Sequence, residues 1–309
     1  MSRSFEIFDK FRNKILELFP EKKELRVYHY TSSEILWEFM KPGGDFRCTF
    51  YSALSDPTEF YTGMSAETRF WRKLHKELNV DFTMPLYDVS SAAESVPWIM
   101  SFSAARDETS LWRDYTSRTG GYAMGFNVEN ITKAIIEDSH LEHDKWVLIN
   151  FLPCIYYGCD DMHKINELIK YALTELTFEF AAFLSRGSEK DRDENERLAR
   201  TYLWLLLASV IKHKDFRDEQ EWRLIVQPLE LKSAGRKCEM VGGKIRIASG
   251  LCGTRRRLIN FIDEIIVSPH GPSDSLRLMA EMFVSLSGFG GDGESRIVAS
   301  VSPYRGEAK

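Results

Sequence analysis

The stretch from Lys212 to Val226, KHKDFRDEQEWRLIV, constrains the fold of this chain more than any other part of the sequence. It starts with basic residues, passes through Glu219 and Glu221, and ends in an apolar run. Side chains of an extended strand alternate between two faces, so this run is predicted to be an amphipathic strand with the glutamates at its start. The predicted faces are Glu219, Glu221, Arg223 and Ile225 on one side, and Trp222, Leu224 and Val226 on the other.

Two interpretations of these glutamates follow from the stretch alone. Carboxylates two residues apart on one strand are like charges a few ångströms apart, and their repulsion can raise the pKa of one of them, as general acid–base chemistry requires. Arg223 on the same face would tune that pKa. The alternative is an edge strand whose charged face points to water.

Composition excludes several classes of protein. The 309 residues are 43% hydrophobic and 28% charged, as in ordinary globular proteins, and form one large domain or two smaller ones. A net charge of −5 and a pI near 5.9 argue against a broad basic face for nucleic acid. The longest apolar run, Tyr202 to Ile211, is shorter than the roughly 20 residues that cross a bilayer. Five scattered cysteines without a C-x-x-C pair favour a reducing, cytoplasmic location.

The pattern of elements predicts an α+β fold, because strands and helices do not alternate strictly. Residues 1–24 are predicted to form an amphipathic helix, and residues 25–309 a single domain. A helical insertion at about 160–213 interrupts the strands and is a candidate lid or partner-binding surface. Within it, the charged segment Arg186 to Arg200 is predicted to be a solvated loop.

Three short motifs fall at predicted strand ends. His29-Tyr30-Thr31 closes a strand that begins at Leu25, and Ser101-Phe102-Ser103 closes a strand that begins at Trp98. Glu219-Gln220-Glu221 opens the strand described above. Each triplet alone arises often by chance, but their order and their placement at strand ends favour a shared site.

Together these motifs resemble the ADP-ribosyltransferase superfamily, in which a first strand carries H-x-T/S, a middle strand S-x-S and a late strand E-x-E or Q-x-E. The wider string HYTS, SDPTE, SFS, LWRDY, GGYAMGF and EQEWR is similar, from about Tyr28 to Arg305, to a widespread bacterial domain family of unknown function, some of whose members occur in abortive-infection loci. The resemblance implies an ADP-ribosyltransferase-like split mixed or antiparallel sheet with flanking helices. It also implies NAD as the substrate and a bacterial toxin or phage-defence role.

The resemblance further implies roles for individual residues in binding NAD. His29 would bond the adenosine ribose, the backbone of Tyr30 would hold the nicotinamide amide, and Thr31 would support that strand end. The residues implied to brace or line the site are Ser101 and Ser103, with Phe102 or Tyr51 stacked on nicotinamide and Arg223 beside the glutamates.

The same resemblance assigns the chemistry to the two glutamates. Breaking the nicotinamide–ribose bond builds positive charge on the sugar, as in glycoside hydrolysis. Glu221 would hold the ribose 2′-hydroxyl and stabilise that charge, and Glu219 would activate the acceptor.

Several alternatives stay open at this stage. The chain would equally suit an NAD glycohydrolase, or a catalytically inactive sensor that binds a nucleotide or a partner protein such as an antitoxin or phage component. The acceptor would be a protein or a nucleic acid. Phe50-Tyr51-Ser52 is a second choice for the middle motif, and His29 alone would suit a hydrogen-bonded core residue. His140 and His143 lack a third ligand, so no metal site is predicted.

Overall fold

The computed structural model describes residues 3–22, 26–40, 48–50, 97–117, 119–139, 147–158, 162–185, 192–228, 237–241, 244–248, 261–286 and 296–303. Helices and strands are mixed in this part of the chain, and the α+β class is confirmed. The helices are α1 (Arg3–Leu18), α2 (Ser33–Met40), α3 (Thr109–Tyr115), α4 (Val128–Ser139), α5 (Met162–Tyr171), α6 (Thr177–Leu184), α7 (Arg192–Val210) and α8 (Ser273–Leu286). A π-helical turn, Ala172–Leu176, joins α5 to α6, and 3₁₀ turns lie at Pro20–Lys22 and Lys214–Glu219.

The strands form one main sheet and two small ones. They are β1 (Arg26–Ser32), β2 (Thr49–Phe50), β3 (Trp98–Ser103), β4 (Gly121–Asn127), β5 (Val147–Pro153), β6 (Ile155–Tyr157), β7 (Ile211–His213), β8 (Glu221–Pro228), β9 (Lys237–Val241), β10 (Lys244–Ala248), β11 (Ile262–Val267) and β12 (Arg296–Ala299). The main sheet has the order β12-β11-β4-β1-β3-β8-β5, with β2 also paired to β3. Strands β11 and β12 run parallel, and the other pairs of this sheet are antiparallel.

Strand β8 occupies an interior position between β3 and β5. Its alternation is as predicted, since Ile225 belongs to the core on one face, and Trp222, Leu224 and Val226 belong to the core on the other. The alternative of a solvated edge strand is wrong, because β8 has partners on both sides and Glu221 is only 4% exposed.

Strands β1 and β3 meet along a short contact that we call the seam. Strand β1 pairs with β4 along its whole length, whereas Tyr28 opposite Ser103 is its one register pair with β3 among the described residues. Farther along the same edge of β3, β2 pairs with Trp98 and Ile99. The two halves of the sheet are therefore joined by few backbone contacts at the seam.

The two faces of the sheet carry separate cores. On the face of Ile225, which we call the insertion face, the helical insertion packs against α1. Ile7, Phe11 and Ile15 of α1 are buried in the same cluster, as is Phe19 just after the helix. Helix α3 covers the part of this face over β1, β4 and β11. The other face is covered by α2, α4 and α8. The insertion is thus a layer of the core rather than a detached lid.

Two local predictions are wrong. The charged segment is helical from Arg192, where α7 begins, and it buries Asn195 and Ala199, so a solvated loop does not describe it. The sequence pattern predicts a strand at Pro153 to Tyr157, whereas the structure has β5 from Val147 to Pro153 and then the short β6. Its burial on both faces hides the alternation that marks a half-exposed strand, with Asn150, Phe151 and Leu152 all buried.

Candidate functional site

The two glutamates lie on different elements. Glu219 ends the 3₁₀ turn, and β8 begins at Glu221. Between them Gln220 has a left-handed backbone, with φ of 43°. The prediction that both glutamates belong to one strand is therefore wrong. The Ser103 hydroxyl donates to the Glu219 carbonyl at 2.5 Å, and the Ala104 amide donates to the Gln220 carbonyl at 2.9 Å, which fixes this turn to the end of β3.

The Glu221 carboxylate is held by two buried cations. Arg223 donates through Nε to Oε1 at 2.8 Å and through Nη2 to Oε2 at 3.0 Å, and the Lys212 ammonium lies 2.8 Å from Oε2. Arg223 is 2% exposed and Lys212 is 1% exposed. A bidentate guanidinium pair and an ammonium together satisfy both oxygens.

These contacts decide the charge of Glu221. Burial alone would raise its pKa, but Arg223 and Lys212 outweigh burial and hold the pKa of Glu221 well below its usual value. Glu221 is therefore a carboxylate at neutral pH. The predicted raised pKa from repulsion between the glutamates does not apply to Glu221, because Lys212 lies between the two carboxylates.

Glu219 is the more accessible of the pair. Lys212 Nζ lies 2.7 Å from its Oε2, and the Tyr115 hydroxyl donates to its Oε1 at 3.1 Å. The Glu219 side chain is 21% exposed, and Tyr115, at the end of α3, is 36% exposed. We call Glu219, Glu221, Lys212, Arg223 and Tyr115 the acid cluster; it lies where α3 and the insertion meet over the sheet.

Two residues enclose the buried side of the acid cluster: Cys154, between β5 and β6, and Tyr156, in β6. The Tyr156 hydroxyl accepts from the Glu221 amide at 2.8 Å, and burial raises the pKa of Tyr156. The Cys154 amide donates to the Glu221 carbonyl at 2.7 Å, and its thiol lies 3.7 Å from Glu221 Oε2. On the other side, the Lys212 ammonium lies 4.5 Å from the ring centroid of Phe216.

His29 contributes to the seam rather than to the acid cluster. Burial lowers the pKa of His29 to about 4, so the imidazole is neutral at pH 7. Its Nδ1 lies 2.8 Å from the Ser101 carbonyl, and because a carbonyl only accepts, Nδ1 carries the proton. The ring centroid lies 5.6 Å from that of Phe102, on the face opposite Glu221.

The other predicted residues divide between the two faces. Tyr30 lies on the insertion face, where its hydroxyl donates to the Ala105 carbonyl at 2.9 Å. Thr31 is buried on the face of His29, and Phe102 packs in the core there with ring centroids of Phe126 and Phe151 within 5.5 Å. Ser101 and Ser103 are on the face of Glu221, opposite Arg223 and Glu221 in register. Tyr51 lies outside the described residues, as do His140 and His143.

A second buried carboxylate lies on the insertion face and was not predicted. Tyr28 donates to Glu264 Oε2 at 3.1 Å, and Arg106 bonds both oxygens of Glu264, at 2.8 and 3.2 Å. Register pairs connect Glu264 to Gly125, Gly125 to Tyr28, Tyr28 to Ser103 and Ser103 to Glu221. Paired residues share a face, so the two carboxylates stand in one row across the sheet.

Sequence reasoning missed the residues that surround the glutamates. Lys212 was identified only as one of the basic residues that open the stretch from Lys212 to Val226. The sequence feature that could have indicated its burial is its position directly after the apolar run that ends at Ile211, where a charged residue can be buried together with the run. Trp112 and Tyr115 were not among the predicted site residues, and the structure buries Trp112 but leaves Tyr115 at the surface beside Glu219.

Comparison with known proteins finds a family that is similar to the segment containing the acid cluster. Residues 111–224 are similar to a family described as "Protein of unknown function (DUF2971)". The matched segment runs from Leu111 in α3 to Leu224 in β8 and includes every residue of the acid cluster, but not β1 or β3. No curated protein and no solved structure matches the chain.

Two further searches covered the described residues. No helix there is long and apolar enough to cross a membrane. Within the same ranges, no group of three or more histidine, cysteine, aspartate or glutamate side chains is placed to hold a metal ion.

Proposed function

We propose that this protein is an NAD-dependent ADP-ribosyltransferase of a bacterial toxin or phage-defence type, acting in the cytoplasm on a protein or nucleic-acid acceptor. The observation that carries the proposal is the order of the sheet, in which β1, β3 and β8 are neighbours. Two of the motifs lie in β1 and β3, and the third ends at Glu221, the first residue of β8. The resemblance to the ADP-ribosyltransferase superfamily requires these motifs to lie together, although they are far apart in sequence.

The seam offers a site for the nicotinamide amide. A carboxamide has one acceptor and two donor hydrogens, which match the exposed edge of a strand. Beyond the Tyr28–Ser103 pair, the imidazole of His29 rather than a strand backbone bonds the Ser101 carbonyl. In the proposed binding mode the Tyr30 backbone would bond the nicotinamide amide in this gap.

Glu221 would supply the charge that bond cleavage needs. When the nicotinamide–ribose bond breaks, its electron pair leaves with nicotinamide and positive charge develops on the ribose. An ionised, fixed carboxylate stabilises that charge, and one such group is worth about 3–4 kcal/mol. In this proposal Lys212 stays with Glu219 while Glu221 Oε2 turns to the ribose hydroxyl.

Glu219 would act on the acceptor, because it is the exposed carboxylate of the acid cluster. A proton leaves the acceptor for Glu219 as the acceptor bonds to the ribose carbon. If water takes the acceptor's place, the product is free ADP-ribose, and the same site is an NAD glycohydrolase.

A second candidate is a catalytically inactive sensor that binds a nucleotide or a partner protein. Two observations favour it. Both oxygens of Glu221 are already bound by buried cations, and His29 approaches the seam from the face opposite Glu221. An ion pair of this kind stabilises a folded arrangement without any chemistry.

Nicotinamide release separates these candidates. The purified chain is incubated with NAD, with and without a bacterial lysate, and nicotinamide is measured together with the transfer of label from adenine-labelled NAD to macromolecules. Release with transfer supports the transferase, and release without transfer supports the glycohydrolase. Thermal stabilisation by NAD without release supports the sensor, since a ligand at 100 times its Kd stabilises by about 2.7 kcal/mol. Neither release nor stabilisation would reject NAD as the ligand.

A further inference from the structure

We propose that Lys212, contributed by the helical insertion, is the positioning residue that keeps the two glutamates of the acid cluster together as carboxylates. The proposal rests on the proposed function only for its effect on NAD turnover. The part of the proposal that concerns the position and charge of the two glutamates does not depend on any ligand. Lys212 belongs to β7, which pairs with β6 rather than with the main sheet.

The geometry of Lys212 is that of a shared counter-ion. Its ammonium lies 2.7 Å from Glu219 and 2.8 Å from Glu221, and it is 1% exposed. Without this ammonium, the left-handed turn at Gln220 would hold the two carboxylates close together, and Arg223 would remain as a cation at Glu221. Like charges at that distance favour protonation of one of them.

The titratable and charged groups around the pair come from every neighbouring element. They are Tyr115 on α3, Cys154 and Tyr156 beside β5 and β6, Lys212 on β7, Glu219 in the 3₁₀ turn, and Glu221 and Arg223 on β8. The Lys212 ammonium contacts both carboxylates. Arg223 contacts Glu221 and the Ser209 carbonyl.

The main test is a titration of the Glu221 carboxyl by ¹³C NMR, in which the signal is assigned by its loss in Glu221→Gln. In Lys212→Met the pKa of Glu221 is expected to rise by about 1–3 units, the usual effect of losing an adjacent opposite charge. The matched control is Lys214→Met, which removes an exposed lysine two residues away and should leave the titration unchanged. Equal titrations in the two variants would overturn the proposal, because a lysine that only fills space does not set the carboxylate charge.

A second variant covers the case in which Lys212→Met folds poorly. Lys212→Met with Glu219→Gln removes one charge of each sign and leaves Glu221 paired with Arg223. This double variant is expected to melt at a higher temperature than Lys212→Met alone. A lower melting temperature for the double variant would contradict a counter-ion role.

The enzymatic consequence is tested separately. If the wild type releases nicotinamide, the acid limb of its pH–rate profile should move upward in Lys212→Met and stay in place in Lys214→Met. If the wild type releases none, the proposed function fails, but the titration and the melting comparison still decide the role of Lys212. An unshifted acid limb in an active Lys212→Met variant would reject Lys212 as a positioning residue.

Discussion

Glu221 and Glu264 stand in one row of the same sheet face, yet they are held in different ways. Glu221 has two cations that are at most 2% exposed, whereas the arginine of Glu264 has a side chain that is 46% exposed. Four strand spacings of about 4.8 Å separate them, or roughly 19 Å, so they do not share partners. Burial alone would raise the pKa of either carboxyl, but the cations, with Tyr28 at Glu264, bring both pKa values below the usual value.

The two ion pairs differ in how much stability the protein loses when one partner is removed. A buried ion pair leaves an uncompensated charge in the core when one partner is removed, whereas a half-exposed arginine is replaced in part by water. Glu264 is thus expected to stabilise only the local contact between β11 and the loop after β3. Glu221 is expected to govern both the stability and the chemistry of its site.

The largest effect is expected from Arg223→Met. It leaves Glu221 with Lys212 alone and removes a donor from the Ser209 carbonyl, so unfolding free energy should fall by about 3–5 kcal/mol. Arg106→Met, the same change at the partner of Glu264, should cost about 1 kcal/mol. Urea denaturation of both variants measures the difference. Equal losses would show that burial of the cation does not distinguish the two carboxylates.

Glu221→Gln should affect turnover most. It keeps the shape but removes the charge that opposes the developing positive ribose, so nicotinamide release should fall by about 100- to 1,000-fold, or about 3–4 kcal/mol. The affinity for NAD should change little, because the interaction strengthens mainly in the transition state. Glu264→Gln is the matched control and should retain its rate. A wild-type rate for Glu221→Gln in a protein that consumes NAD would remove Glu221 from the chemistry.

The pKa of His29 is shifted downward, in the direction opposite to that of a cation held in an ion pair. Its pKa of about 4 is below its usual value, so between pH 6.5 and 4 the unfolded chain binds more protons than the folded one. Stability is therefore complete above pH 6.5 and falls as the pH drops towards 4, by about 2–3 kcal/mol. His29→Asn retains an N–H donor for the Ser101 carbonyl and should remove this slope. Denaturation at several pH values measures how the unfolding free energy depends on pH. A slope that persists in His29→Asn would show that another group causes it.

The smallest effect is expected from Gly125→Ala. A Cβ at Gly125 would lie 3.0 Å from Tyr28 Cε1 and 3.2 Å from Glu264 Cβ, so the Tyr28–Glu264 contact would have to shift. We expect a loss of about 1–2 kcal/mol in unfolding free energy and no change in the titration of Glu221, which is remote. A changed Glu221 titration would show that the row across the sheet couples the two carboxylates.

The sequence predicted single elements better than their contacts. The α1 helix and strands β1, β3 and β8 follow from local periodicity, and the faces of β8 are as predicted. The position of β8 inside the sheet could not be predicted, because its charged face suits either water or a buried ion pair. The partner of Tyr28 is Glu264, 236 residues later, and no local pattern indicates such a pair.

For this protein, the sequence by itself determined that α1 is helical, that β1, β3 and β8 are extended, and which side of β8 is apolar, because those properties depend on neighbours a few positions away. It also determined the order of the three motifs, on which the resemblance to the ADP-ribosyltransferase superfamily rests. The tertiary structure alone decided that β1, β3 and β8 are adjacent, that His29 and Glu221 lie on opposite faces, and that Lys212 stands between the glutamates. Those facts depend on how distant strands pair and on a left-handed turn at Gln220 that directs both carboxylates to one ammonium.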